Sequence, residues 1–399
     1  MRILIAYRYF HPDTPPYATM LREMSRWLVE AGHDVTIVTA QPSYKPEAGI
    51  PRQPWSETRG GVSIRRLPLL AEGGRGLRRR VNSFAFVLMA AVALAFARRP
   101  DLIWTASMPP VLQGALLRWI AALRGAKFLY HVQDIYPEIA VASGMMPDGR
   151  FSRWLKWLDA RTVNAADAIV VPGDDMVASL KARGAATGPV SVINNFAIGA
   201  EEPPIDERRT GSGAAVRFIF AGNLGRFQNL EKLVEAFGRI DPALAQLDLV
   251  GEGQVKPELE KIVRSGNIGN VVFHGLRTPR EAFLQICRSD VAVISLDHVI
   301  AHYAFPSKTL TYLAAGRPIL ALVADDCSLA RMIDDAGAGA VLDANASVAD
   351  VARQIEATAR TDLDEMKKSA RGLSETFSLE RTRAKWLSLM SALQTEDAA

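Results

Sequence analysis

The chain has 399 residues, 49% of them hydrophobic and 23% charged, with a formal net charge of +4. That length suits two domains of roughly 150–200 residues each, and the apolar content excludes a disordered chain. The only cysteines, Cys287 and Cys327, are far apart, which excludes a disulfide framework or a CxxC pair and fits a reducing cytosol.

The charge is unevenly placed. Residues 1–200 hold 24 Lys/Arg against 15 Asp/Glu, and residues 201–399 hold 23 against 28. A basic first half points to an anionic surface. No RNP, helix-turn-helix or zinc-finger pattern accompanies it, so a membrane surface is expected and nucleic acid is not. The chain opens on MRILIAYRYF, a strand-like run without a small-residue cleavage site, so no signal peptide is expected.

In chain order, short apolar runs at residues 3–6, 35–39, 63–66, 102–105, 128–132, 168–171 and 190–193 predict strands. Helix-period segments at 19–31, 82–97, 112–124 and 153–165 lie between several of them, which predicts an α/β domain with a parallel sheet over residues 1–200. Residues 83–97 are the longest apolar stretch, too short for a comfortable membrane span. Arg75, Arg78, Arg79 and Arg80 precede it. That pattern fits an interfacial element or a buried helix with a basic cap.

A polar stretch with prolines and glycines at 201–215 predicts a linker. The pattern then restarts, with strands expected at 218–221, 247–251, 271–274, 291–295, 319–323 and 340–342 in a second domain over 215–378. Two doubly wound sheets place a cleft at the carboxyl ends of their strands. The last helix, about 379–399, carries an apolar face with Trp386, Met390 and Leu393 and is expected to pack back on the first domain.

Five segments are candidates for chemistry. YAFPSKTLTYLAAGRPIL, from Tyr303, places Ser307 and Lys308 at a helix start, where free N–H groups and a full positive charge attract phosphate. FAGNLGRFQNL, from Phe220, sets Gly222 and Gly225 around Asn223, with Arg226 at a strand-to-helix turn. Glu252 in VGEG is placed to hold a ribose hydroxyl or lies in a plain turn. YHVQDIYPE ends a first-domain strand and carries His131, Asp134 and Glu138. Asp134 and Glu138 are candidates to position acceptor and sugar, and Asp134 is a candidate base or a capping residue before a turn. YRYFHPDTPPY follows the first strand with His11, Asp13 and Tyr17. His298 and His302 are four apart beside Asp297, but no third ligand is spaced with them, so no metal site is expected.

In this order and spacing the chain resembles the retaining glycosyltransferases of family 4, of the GT-B fold. Within them it is similar to the bacterial O-antigen and exopolysaccharide branch, near the N-acetyl-fucosaminyl transferases. The residues that carry the likeness are Tyr9 to Asp13, Gly32 to Thr36, Asp134 to Glu138, Gly222 to Gly225, Pro306 to Lys308 and Ala315 to Pro318.

The resemblance implies two Rossmann-like domains facing across a cleft, with a UDP-sugar donor held by the second and a polyprenyl-linked saccharide acceptor by the first. It implies a cytoplasmic enzyme peripheral on the inner membrane that needs no metal or other cofactor, Lys308 and Arg226 neutralising the diphosphate. His11, Asp13 and Tyr17 would meet the acceptor. Two glutamates of the wider family fall here at Tyr303 and Thr311, and its basic pair at Asn223 and Gln228. A histidine falls at Gln133. The two alternatives are a UDP-amino-sugar epimerase of the same fold and an inactive membrane-associated scaffold.

Overall fold

The computed structural model describes residues 1–13, 15–43, 50–69, 77–186, 188–197 and 215–395. Arg75 and nearly all of the expected linker lie outside the described residues. The chain divides into two compact units, Met1–Asn194 with Glu380–Ala399, and Asn195–Leu379.

The first unit holds eight strands: β1 (Arg2–Ala6), β2 (Asp34–Ala40), β3 (Ser56–Arg59), β4 (Val62–Leu67), β5 (Leu102–Ala106), β6 (Lys127–His131), β7 (Ala168–Val171) and β8 (Val190–Val192). Their order is β3-β4-β2-β1-β5-β6-β7-β8. Every pairing is parallel except β3 with β4. Strands β1, β5 and β7 are buried almost throughout, because helices cover both faces of a parallel sheet. Strand β3 was not expected from sequence. Its residues, SETR, are mostly exposed on the sheet edge, so no apolar alternation announces it.

The second unit holds β9 (Val216–Ala221), β10 (Ala245–Val250), β11 (Val271–Gly275), β12 (Val291–Ser295), β13 (Ile319–Val323) and β14 (Gly339–Asp343), ordered β11-β10-β9-β12-β13-β14 and all parallel. Alternate residues of each strand feed two apolar clusters. Phe218 and Phe220 point to one face, Ile219 and Ala221 to the other.

The helix Leu379–Thr395 packs within the first unit. Trp386 stacks on Trp104 of β5, ring centroids 4.6 Å apart, and Lys127 Nζ donates to the Leu393 carbonyl at 2.6 Å. No helix among the described residues is long and apolar enough to cross a membrane.

Candidate active site

Strand order in the second unit reverses between β9 and β12, the point where ligands meet the carboxyl ends of an open α/β sheet. The segments following these two strands converge there. Asp297 N–H, after β12, donates to the Phe227 carbonyl, after β9, at 2.7 Å. Lys308 opens the helix Lys308–Ala314. Its Nζ lies 3.6 Å from the centroid of the Phe220 ring, and a methyl in place of a Gly222 hydrogen would sit 3.5 Å from it. That nitrogen is buried without a hydrogen-bond partner. Burial pulls its pKa down to about 7. The ring face offsets part of the desolvation cost of the ammonium, and a bound anion would offset much more.

Tyr312 holds this lysine in place. It lies one turn along the same helix face. Its hydroxyl accepts from Ala221 N–H at 2.8 Å and donates to Ala221 C=O at 3.2 Å. The helix start is thereby pinned over the end of β9. Ser307, at the helix start, does not cap the helix with its side chain. Its backbone is already helical (φ −58°, ψ −25°), so the hydroxyl is not presented to the following amides.

The GNLG and VGEG loops are joined backbone to backbone. Gly222 N–H donates to Val250 C=O (2.9 Å), Leu224 N–H to Glu252 C=O (3.0 Å) and Val255 N–H to Leu224 C=O (3.2 Å). A Cβ at Gly251 would lie 2.0 Å from the Gly222 oxygen, and one at Gly253 would lie 2.1 Å from the Leu224 oxygen. Gly251 and Gly253 thus serve loop-to-loop contact. Glu252 is exposed and paired with Lys256 at 2.6 Å, so the expected ribose ligand is engaged by a neighbouring lysine. Gly225 donates to Gln228 Oε1 at 3.1 Å. Asn223 and Arg226 are exposed beside it, while Tyr303 and Thr311 are half-buried.

In the first unit the order reverses between β1 and β5, and the loops after β1, β5 and β6 share the carboxyl edge. Asp134 follows β6. Its N–H donates to Ser107 Oγ at 3.2 Å, and burial raises its carboxyl pKa to about 6. Glu138 is not at its side as a second working carboxylate. It is buried and paired with Arg183 at 3.1 Å, and Arg183 also binds Asp159, which accepts from Tyr130. A carboxylate so engaged braces the short helix Glu138–Ala142.

Tyr17 is likewise interior. Its hydroxyl meets His131 Nδ1 at 3.0 Å, and its ring packs edge-on against Tyr7. Burial drives the His131 pKa down to about 3 and the Tyr17 phenol up. The pair is a neutral core contact, not an acceptor subsite. Asp13 is buried and accepts from Ser43 N–H at 3.1 and 3.2 Å. His11 is half-buried. Burial and the neighbouring Arg59, Arg22 and Arg66 lower its pKa.

Two family models match, the glycosyl transferase 4-like domain over residues 17–195 and glycosyl transferases group 1 over residues 215–360. The chain belongs to the GT-B glycosyltransferases. It is similar to the "Probable glycosyltransferase WbjE" of Pseudomonas aeruginosa, 28% identical over 325 residues, 78% of this chain and 79% of that protein. WcaI of Escherichia coli (strain K12), named for colanic acid biosynthesis, is 24% identical over 333 residues, 79% of this chain and 82% of its own. Among solved structures, HepE of Anabaena in complex with UDP superposes with a TM-score of 0.67 at 13% identity, covering 98% of this chain and 100% of that one. At that identity the likeness shows the fold.

Sequence reasoning assigned no role to four residues that shape these two edges of the glycosyltransferase. Phe220 and Tyr312 set the lysine, Arg8 is buried beside β1 with its Nη1 on Ser83 Oγ, and His131 anchors Tyr17. A hydroxyl four residues after Lys308, and an arginine two residues after a buried strand, were the available signals. Asp325 and Asp326, which follow β13, bring two carboxylates beside His298, all ligand atoms within 4.8 Å. Spacing along the chain does not reveal that meeting. Both aspartates are exposed, His298 also lies 3.4 Å from Asp343, and His302 lies 3.3 Å from Asp326.

The loop junction yields a test. Gly251→Ala adds a Cβ at φ +132° against the Gly222 oxygen and should cost about 3 kcal/mol in denaturant unfolding of the second unit, with nucleotide binding weakened. Gly269→Ala, where nothing stands within 4 Å, should stay within about 0.5 kcal/mol.

Proposed function

We propose that this glycosyltransferase is a retaining enzyme. It moves a sugar, an N-acetylated amino sugar, from a UDP-sugar onto a polyprenyl-linked saccharide in cell-surface polysaccharide synthesis, at the cytoplasmic face of the inner membrane. The observation that carries this reading is the buried, unbonded Lys308 amine at the switch point of the second sheet. A diphosphate is the ligand such a group awaits. The UDP bound in HepE and the polysaccharide named for WcaI support the donor and the pathway class.

As the bond from the anomeric carbon to the β-phosphate oxygen breaks, negative charge grows on that oxygen. Lys308 stabilises it, with the exposed Arg226 as second cation and the Gly222–Gly225 amides assisting. The acceptor hydroxyl attacks the anomeric carbon from the face the diphosphate leaves and passes its proton to the departing β-phosphate oxygen, so no enzyme nucleophile is used and configuration is kept. Asp134, ionised above a pH of about 6, positions that hydroxyl. His11, half-buried on the neighbouring loop, meets the acceptor, while Asp13 braces that loop through the Ser43 amide.

Incubation of the enzyme with a panel of UDP-sugars, with and without polyprenyl-diphosphate saccharide, tests the proposal. A product that forms only when the lipid acceptor is present is expected. Conversion of the UDP-sugar to its epimer without acceptor would assign the fold to epimerisation. Nucleotide binding without turnover on any acceptor would assign it to a scaffold.

A further inference from the structure

The first unit shows an apolar surface that its core does not use. On the helix Leu77–Ala95, Phe86, Val87, Ala90 and Leu94 are buried against the sheet. The opposite side is apolar too. Val81, Phe84, Leu88 and Val92 form an exposed stripe at helical spacing, and Phe96 just beyond is 87% exposed. The helix Leu112–Arg124 exposes Trp119 and Leu123. The helix Arg150–Asn164 exposes Phe151, Trp154 and Trp157.

These three helices are neighbours, the middle one packing against both others. They connect β4 to β5, β5 to β6 and β6 to β7, each step moving the same way along the sheet. Right-handed crossovers therefore set them side by side on one face. The helix Pro16–Glu30 runs the opposite way, from β1 to β2, and falls on the other face. Ten of the seventeen exposed large hydrophobics among the described residues lie on these three helices, so the apolar exposure is a patch and not a scatter.

Charge names the occupant. The three helices carry nine Arg and Lys and one acid, Asp159, which is buried under Arg183. Aromatic side chains set among cations, with tryptophans foremost, suit the headgroup layer of an anionic bilayer. A second protein surface of ordinary mixed charge does not match that balance.

We propose that this three-helix face seats the enzyme in the surface of an anionic phospholipid bilayer, with the helices lying in its plane. The face is also wired to the acceptor side. Arg79, in the first turn of the Leu77–Ala95 helix, donates to the Tyr9 hydroxyl at 3.4 Å, and Arg8 Nη1 donates to Ser83 Oγ at 2.5 Å. The loop after β1 that holds His11 and Asp13 thus rests on the end of the docking face. This deepens the acceptor reading above, because a saccharide on a membrane-embedded isoprenoid would arrive at that edge.

The experiment is flotation of the full chain with vesicles of phosphatidylethanolamine and phosphatidylglycerol, against phosphatidylcholine alone, over a salt series. The wild type should bind the anionic vesicles, and less so as salt rises. Phe84→Ser/Trp119→Ser/Trp157→Ser should lose at least about tenfold in partitioning, with the UDP thermal shift unchanged. Arg153→Glu/Lys156→Glu, which keeps the apolar patch, should remove the salt-sensitive part. Wild-type binding by the triple variant, or no vesicle binding by the parent, overturns the inference. So does a dimer in light scattering that the triple variant dissociates, which would give the face to a second copy. No vesicle binding by the wild type, with its UDP binding intact, sinks the docking face alone. UDP binding absent with vesicle binding intact sinks the proposed function alone.

Discussion

Lys308→Met is expected to lower sugar transfer roughly 10²- to 10³-fold, the loss seen when one donor to a developing oxyanion is removed. The fold should survive intact. Methionine has a similar reach, carries no charge to desolvate and packs well on the Phe220 ring. Thermal unfolding without ligand should be unchanged or slightly higher, while the stabilisation given by UDP disappears.

The pH dependence has a definite sign. Burial holds the lysine near 7 in the free enzyme, below its unfolded value. Its contribution is a cost to folding, present in full below about pH 7 and relieved as pH rises toward the unfolded pKa. A diphosphate restores the charge, so binding takes up a proton above pH 7. UDP affinity should then fall by up to about tenfold per unit as pH rises from 7. Lys308→Arg, which stays protonated, should flatten that profile even if the fit is poorer. Calorimetry at pH 6.5 and 8.5 decides it. Equal affinity at both, with a normal Met variant, removes Lys308 from the donor site.

Trp386→Ala is expected to be the most damaging single change to the first unit, though the residue lies more than 200 positions from the strands it covers. Its ring is 3% exposed, stacked on Trp104 and 5.0 Å from the His131 ring. Truncating a buried aromatic of this size costs about 3–5 kcal/mol, transfer and cavity terms together. Water entering beside His131 should also raise that imidazole from its value of about 3. Denaturant unfolding followed by unit-specific hydrogen exchange is the measurement. The first unit should lose protection, and UDP should still protect the second. Equal loss in both units, or a change under about 1 kcal/mol, contradicts the helix contact.

Both results turn on contacts between residues distant in the chain, and this marks where reading the chain unaided stops. The alternation of strand and helix was legible throughout, since β7, β12 and β13 begin and end at the expected residues. Periodicity and buried apolar runs are local properties, written in consecutive residues. The edge strand β3 escaped for the same reason, its exposed residues carrying no such signal.

Site assignments fared according to whether their partners were near or far. Lys308 was legible as a cation at a helix start. That its amine lies over Phe220, 88 positions earlier, and is held by Tyr312 to Ala221 was decided by the register of the second sheet. Glu138 was legible as a candidate to position substrate, but Arg183 folds onto it. Gly251 and Gly253 were legible only as flanks of Glu252, and it is the neighbouring loop that fills the space where a Cβ would stand. Backbone preference and burial pattern act over a few residues, so the segments that become strands and helices are written in the chain. Which charged groups are consumed by a partner and which wait for a ligand depends on what packing brings within a few ångströms, and that emerges only once the chain has folded.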